Sequence, residues 1–339
     1  MSEVFCEAGR RSRVNGAAAV ALTVAFVLVA ALFAAVAPSI PASAKGEVVK
    51  IGVLPIEDNL PFYVAEKEGF FAAEGVAVEL VPFNSAIERD TAIRAGQIDG
   101  VITDLLAVIF LEKSGIPVAI TSVALGEVPQ EGRFAILAAP GAKIQTVADL
   151  KNVPIGISNN SIIEYVTDQL LSANGLKAQE IVKVEIPKIP IRLDMLLNGK
   201  LQAATLPDPL AALAEARGAR VIVSDTAPGP AGNLSQVVLA FQKRSISGKR
   251  AEIQKMYAAY RRAVSAINAR PDVYRELLID KARVPEEIKE TYPLPHYPMP
   301  KLPQKQDFDR VVKWMLEKKL IDRSYAYGDL TDGQFAAAK

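Results

Sequence analysis

The chain has 339 residues, half of them hydrophobic, 23% charged and 6% aromatic, with 39 Lys+Arg against 38 Asp+Glu for a net charge of +1. That composition is globular and long enough for about two domains with a large core, and its charge balance offers no bulk positive field for nucleic acid. One cysteine and one histidine leave little from which to build a zinc site, a Cys/His dyad or a Ser-His-Asp triad.

The first 44 residues read as an address. Arg10, Arg11 and Arg13 precede an uncharged run from Gly16 to Ala37, Pro38 breaks it, and Ala42-Ser43-Ala44 follows. A positive start, an apolar stretch and a small-x-small site form the pattern of a secretory signal peptide. The alternative is an uncleaved membrane anchor; either way the mature part lies on the outer face, because the arginines stay inside. Cys6 precedes the apolar run, which disfavours a lipoprotein anchor. Cleavage after Ala44 leaves 36 basic and 36 acidic residues and no cysteine. Such a chain needs no disulfide in an oxidising compartment and has no thiol nucleophile.

The mature part alternates strands and helices. Val48–Leu54 is a β-rich run, Pro61–Glu74 a helix with Pro near its start, and Gly75 its stop. Val76–Val81 is the next strand, Ser85–Ala95 a second helix stopped by Gly96, and Val101-Ile102 a third strand ending in Thr103-Asp104. The pattern then recurs. Ile155-Gly156-Ile157 repeats Ile51-Gly52-Val53, Asn174-Gly175-Leu176 repeats Glu74-Gly75-Val76, and Asn198-Gly199-Lys200-Leu201 repeats Ala95-Gly96-Gln97-Ile98. Leu206-Pro207-Asp208 falls where Ile102-Thr103-Asp104 fell. Four landmarks in one order at a nearly constant spacing of about a hundred residues point to an internal duplication. The expected fold is therefore α/β, with two doubly wound lobes of parallel strands joined by a two-strand hinge. Phe134–Ala138 and Val237–Phe241 are the two crossover strands. Lobe I comprises 47–138 and 235–339, lobe II 140–232, and ligands bind beyond the strands' carboxyl ends.

The C-terminal part is expected to be helical. Ala251–Ala269 carries Ile253, Met256, Tyr260, Val264 and Ile267 at helical spacing, a core stripe. Pro293, Pro295, Pro298, Pro300 and Pro303 enforce an extended stretch, read as a rigid connector. Phe308–Leu320 is a last helix, with Trp314 and Met315 packing on lobe I.

Several of these residues together resemble a known family. Pro61–Phe71, Glu74–Leu80, Ala95-Gly96-Gln97-Ile98-Asp99, Ala148-Asp149-Leu150-Lys151, Ile155-Gly156-Ile157-Ser158 and Pro207-Asp208-Pro209, in this order, resemble the substrate-binding proteins of ABC importers of the nitrate/sulfonate/taurine type, which include receptors for thiamine pyrimidine precursors. The resemblance spans nearly the whole mature chain. It implies a type II periplasmic-binding-protein fold, capture of a small molecule outside the cytoplasm, delivery to a permease and its ATPase, and action as a monomer without a cofactor. It also implies that the enzymatic branches fit poorly: the pyrimidine-synthesising relatives rely on histidine and a cysteine-rich motif, desulfinases on a cysteine nucleophile, and here His296 lies in the proline-rich stretch while Cys6 is the sole cysteine. Members often carry Glu-Pro where this chain has Asp208-Pro209.

Four sets of loops should converge on the cleft. After the first strand come Glu57, Asp58 and Asn59; Asn59 is read as a cap or a ligand contact, Glu57 and Asp58 more as solvated rim charges. Ser85-Ala86-Ile87-Glu88, preceded by Asn84, and Ser161-Ile162-Ile163-Glu164 are two capping boxes, one per lobe. Their free first-turn N–H groups suit an anion or a carbonyl oxygen, with Ser158, Asn159 and Asn160 beside the second. Thr103-Asp104 and Asp208 stand at equivalent strand ends, as helix caps or as carboxylates for an amine or ring N–H, and Ser122 lies in the wall before the crossover. Phe62, Tyr63, Phe83 and Tyr165 adjoin these loops, for core packing or for stacking on a planar ligand. Arg89, Arg133 and Arg192 are available to neutralise charge, yet none stands at an expected strand end. The expected ligand is small and polar: a sulfonate, an amino-acid-like zwitterion or a pyrimidine-like heterocycle. A membrane-anchored sensor with the same cleft, or an enzyme on the same fold, are the competing functions. No metal site is expected.

Overall fold

The structure is a computed structural model describing residues 46–128, 131–226, 234 and 237–336. The N-terminal address, the Pro228-Gly229-Pro230 turn and the chain's last three residues lie outside the described residues. Among the described residues, no helix is long and apolar enough to cross a membrane.

The described residues form ten strands in chain order: β1 Val49–Val53, β2 Val78–Pro82, β3 Gly100–Asp104, β4 Val118–Leu125, β5 Phe134–Ala138, β6 Pro154–Ile157, β7 Val182–Glu185, β8 Ala203–Pro207, β9 Arg220–Ser224 and β10 Val237–Gln242. They form two five-stranded sheets, ordered β2-β1-β3-β10-β4 and β7-β6-β8-β5-β9. The same order appears twice, so the repeat legible in the residues is a repeat of topology. Registers repeat as well: Ile51 pairs Gly100 as Ile155 pairs Ala203, and Val238 pairs Thr103 as Ala135 pairs Leu206.

Two expectations need correction. The sheets are mixed, because β10 runs antiparallel to β3 and β4, and β5 antiparallel to β8 and β9. Phe134–Ala138, expected on the lobe I side of the boundary, is instead an inner strand of the second sheet. The reason is one of connectivity. Each crossover enters the other sheet from the cleft side, and a strand arriving from there runs opposite to neighbours that end there. The antiparallel strand of each lobe is thus the first one laid down after a crossing.

Helices cover the sheets: α1 Leu60–Lys67, α2 Phe70–Ala73, α3 Ala86–Arg94, α4 Leu105–Lys113, α5 Ile162–Ala173, α6 Ile189–Leu197, α7 Leu210–Ala216, α8 Lys243–Gly248, α9 Arg250–Ala269, α10 Arg275–Lys281 and α11 Lys305–Glu317. The helix expected over Pro61–Glu74 is two pieces, because Gly69 adopts a left-handed conformation (φ 69°) between them. The stripe of α9 is core: Ile253, Met256, Tyr260, Val264 and Ile267 are all buried. Asp99 ties this helical layer to the first sheet, accepting from Lys50 N (2.8 Å), Ser245 Oγ (2.9 Å) and Lys249 Nζ (2.7 Å).

The last helix does more than pack on lobe I. It lies on α4, but Trp314 meets Tyr165 of α5 edge-on at 5.4 Å, and its indole N–H donates to Asp168 (3.1 Å). Lys318, just past α11, pairs with Glu164 at 2.6 Å, and Lys183 reaches both Glu164 (2.8 Å) and Asp168 (2.6 Å). Burial opposes the Glu164 charge, but these two ammonium groups hold its carboxyl below the usual range. A second tie between the lobes is the exposed Arg217–Glu287 pair.

Candidate ligand-binding cleft

Two glycines shape the floor of the two lobes in the same way. A Cβ on Gly52 would lie 2.6 Å from Ile98 Cδ1 and 3.1 Å from Arg89 Cγ; a Cβ on Gly156 would lie 2.7 Å from Leu201 Cδ1 and 3.2 Å from Arg192 Cγ. β1 and β6 therefore each leave room for an arginine stem to run across the sheet toward the carboxyl ends of its parallel strands. Arg89 ends there on Ile102 O (2.7 Å) and Thr103 Oγ1 (2.8 Å), with Asp90 as its ion partner (2.9 Å). Arg192 ends on Ser158 Oγ (3.0 Å) and Ile186 O (2.8 Å). Burial pushes the Arg192 guanidinium down to about 10, against the attraction of Glu185.

Beyond these strand ends the two lobes enclose a cavity of about 260 Å³. That is at the small end of ligand pockets, which run roughly 300–1,000 Å³. Its apolar lining comes from Leu54, Ile56, Ile102 and Leu125 on one side and Phe134, Ile162, Ile163 and Ile189 on the other. Five carboxyl groups border it, Glu57, Asp58, Asp104, Glu131 and Asp208, and two guanidiniums, Arg89 and Arg133. Both arginines are already engaged. Arg133 forks onto Asp208 (Nη2 to Oδ1 2.9 Å, Nε to Oδ2 3.1 Å) and reaches Glu215 at 2.6 Å. Burial opposes its charge, but Asp208 and Glu215 hold it protonated.

Burial works against the charged form of all five carboxyl groups. Burial, with Asp208 and Asp58 adding repulsion, pushes Glu57 up to about 8. Burial likewise pushes Asp58 up to about 7, and raises Asp104, Glu131 and Asp208 despite the bonds each accepts. Glu57 and Asp58, expected as solvated rim charges, are 7% and 8% exposed.

Of the residues singled out from the sequence, Glu57, Asp58, Arg89, Thr103, Asp104, Arg133 and Asp208 border the cavity. Asp104 also caps α4, accepting from Ala107 N at 2.9 Å, so its two readings coexist. Asp208 accepts from Ala212 N (3.1 Å). The rest lie outside the lining. Asn59 is buried, but it neither caps a helix through its side chain nor reaches the cavity; its Nδ2 donates back to Leu54 O (2.6 Å) and pins the loop. Ser85 caps α3 through Glu88 N (3.2 Å), and Glu88 returns the bond to Asn84 N (3.1 Å) rather than to the cap residue itself. Ser161 caps α5 through Ile163 N (3.2 Å), and Glu164 takes Asn160 N (2.7 Å). Ser158 Oγ sits against Arg192 and Pro187 O, Asn159 and Asn160 are exposed, and Ser122 is buried with its hydroxyl on Val123 O (2.6 Å). The helix starts do border the cavity, through Ala86, Ile162 and Ile163, but as apolar wall. Phe62 is wholly buried, and Tyr165 is engaged with Trp314; the aromatic ring that borders the cavity is Phe134.

Glu57, Glu131, Arg89 and Arg133 were passed over or given second place by residue reasoning. Arg89 and Arg133 stand away from strand ends in the sequence, and only their long side chains bring them there. Among the described residues no cluster of His, Cys, Asp and Glu has the geometry to hold a metal ion.

The profile of a family described as NMT1/THI5 like matches residues 57–273. The chain belongs to the NMT1/THI5-like family. A search of curated proteins returned no match. Among solved structures, the NMT1/THI5-like chain is similar to the periplasmic aliphatic sulphonate-binding protein SsuA from Escherichia coli, with a TM-score of 0.72 at 19% identity, covering 84% of this chain and 97% of that one. It is similar to the ligand-binding component of an ABC-type import system from Staphylococcus aureus, with a TM-score of 0.66 at 16% identity, covering 86% and 98%. It is also similar to the desulfurization enzyme DSZB, with a TM-score of 0.60 at 13% identity, covering 86% and 97%. At these identities the likeness is one of fold, and the fold is that of the periplasmic binding proteins.

Proposed function

We propose that this NMT1/THI5-like protein is an extracytoplasmic receptor that closes its lobes over one small ligand and presents it to the permease of an ABC importer. The E. coli and S. aureus neighbours are binding proteins by name, and the N-terminal export pattern supports the same compartment. The observation that carries the ligand class is the surplus of carboxyl groups in a buried, otherwise apolar cavity whose two guanidiniums are already paired. A sulfonate alone would add negative charge to that surplus. A ligand with cationic or N–H groups supplies what is missing: an amino-substituted heterocycle, or a zwitterion held by its ammonium end. Asp104 and Asp58 from one lobe and Asp208 from the other would accept those N–H groups, with Phe134 as the apolar wall.

Native mass spectrometry of gently purified protein, followed by identification of the released compound, tests this. One nitrogenous small molecule per chain is the expected result, with a smaller radius of gyration in its presence. A purely anionic guest would refute the ligand class. Carboxyl groups held protonated near neutral pH would also suit a general acid, which is the one feature favouring an enzyme. Conversion of the bound compound during incubation would move the assignment there.

A further inference from the structure

The proline-rich stretch is more than a connector: Tyr292 and Tyr297 are buried against Glu57, a residue of the cavity lining. Tyr297 exchanges bonds with Asn268 of α9: its backbone N–H donates to Asn268 Oδ1 (3.0 Å), and Asn268 Nδ2 donates to its carbonyl (2.8 Å). Val123 N in β4 donates to Lys301 O at 2.7 Å, and Lys301 pairs with Glu127. Prolines, with no N–H to satisfy, keep the chain extended between these anchors. At the first anchor and just before it, three side chains reach carboxyl-bearing residues of the cavity lining. The Tyr292 hydroxyl donates to Glu57 Oε2, the Tyr297 hydroxyl donates to Glu57 O (2.8 Å), and His296 Nδ1 stands 3.2 Å from Glu131 Oε1. Tyr292 and Tyr297 are 2% and 0% exposed.

We propose that this strap braces the wall of the binding cleft from behind and that Tyr292 is a positioning residue, fixing which oxygen of Glu57 meets the ligand. The inference rests on the reading of the cavity as the ligand site. A phenol has one proton to give, and Tyr292 gives it to Oε2. Any proton that Glu57 carries is then placed on Oε1, the oxygen on the side of Gly132 in the cavity lining. Burial and the neighbouring carboxylate raise Tyr292 far above the range of an ordinary phenol, so it stays a donor at every working pH. The groups that face Glu57 are Asp58 from its own loop, Asp208 from the end of β8, Arg133 from the crossover, and Tyr292 and Tyr297 from the strap. Glu131, with His296 on it, stands next along the same wall. Near neutral pH the ligand-free Glu57 is largely protonated, and it donates from Oε1 or accepts there once that proton leaves. A cationic ligand drives the proton off; a neutral ring nitrogen receives a hydrogen bond from it. Tyr292 makes either exchange happen at one fixed oxygen.

The test needs no ligand. The protein is labelled with ¹³C at glutamate side chains, the Glu57 signal is assigned with Glu57→Gln, and its titration is followed by NMR. Tyr292→Phe removes a bond that favours the charged form, so the midpoint should rise by about one pH unit. Replacing Tyr292 by 3-fluorotyrosine, nearly the same size and a stronger donor, should move it down. Tyr297→Phe, which loses only a bond to the main chain, should leave it within a few tenths of a unit. An unmoved midpoint in both Tyr292 variants, with native melting, would overturn the assignment. Because the readout is Glu57 itself, a failure here is distinct from a failure to find any nitrogenous ligand: the first leaves the cleft reading intact, and the second leaves Tyr292 holding a carboxyl with another use.

Discussion

Arg133 is the single cation of the crossover segment that reaches into the cleft, and removing it tests the electrostatic account directly. Arg133→Met keeps the stem and deletes the fork onto Asp208. The Asp208 side chain, 7% exposed, is then left beside Glu57 with one backbone donor, Ala212 N. Breaking one side of a buried pair costs about 3–5 kcal/mol; Arg133 is 21% exposed and partly screened, so the expectation is about 2–3 kcal/mol. The cost must depend on pH. Asp208 escapes by taking a proton, and its folded-state pKa, already raised, goes higher still without Arg133. A carboxyl whose folded pKa lies above its unfolded value favours the fold at low pH and loses that contribution as pH rises. Urea unfolding of the wild type, Arg133→Met, Asp208→Asn and the double variant at pH 5 and pH 8 separates these effects. Arg133→Met should lose most at pH 8 and less at pH 5, and adding Asp208→Asn should restore most of the loss at pH 8. Equal losses at both pH values, or a double variant as weak as the sum of the singles, would refute the reasoning.

Further expectations follow from the same contacts. In the ligand-free protein, Glu57 and Asp58 rise from 4.5 and 3.8 to about 8 and about 7, so their contribution to stability is complete below about pH 4 and fades as pH climbs through 7 to 8; unfolding measured against pH should show that decline, and Glu57→Gln should flatten it. Gly156→Ala puts a methyl group 2.7 Å from Leu201 Cδ1 and against the Arg192 stem, an overpacking worth about 1–3 kcal/mol that thermal melting will register. Trp314→Phe removes an indole bond to Asp168 and part of an edge-on contact with Tyr165, so it should destabilise by about 2 kcal/mol in chemical unfolding.

Much of the framework is written in local signals. The paired Ile-Gly-Ile and Ile-Gly-Val strands, the capping serines Ser85 and Ser161, and Asp104 as a cap at a strand end all stand where their residue types place them. Such features depend on neighbours within four residues or on a period. The direction of β5 and β10 depends instead on which sheet receives the chain after a crossing, and no local pattern encodes that. The cleft was half legible for the same reason. Asp104 and Asp208 stand at strand ends, where their residue type draws notice, and they border the cavity; Arg133 and Glu131 sit in an irregular crossover and meet partners 75 and 165 residues away. Asn159 and Asn160, rich in hydrogen-bonding groups, turn outward because Arg192 and Ser158 already fill the strand end below them. Tyr292 and Tyr297 lie more than 230 residues from the glutamate they hold. Proline spacing marked their segment as extended without showing what it faces.

The central claim is that the cavity's unmatched carboxyl groups select its guest. Calorimetric titration of the wild type and Asp104→Asn at pH 7 with a matched pair, an amino-substituted pyrimidine and an alkanesulfonate of similar size, tests it most directly. The account predicts heat from the nitrogenous compound, one site per chain, and at least a tenfold loss of affinity in the variant. Saturable binding of the sulfonate with equal affinity in both proteins, and silence from the pyrimidine, would contradict it.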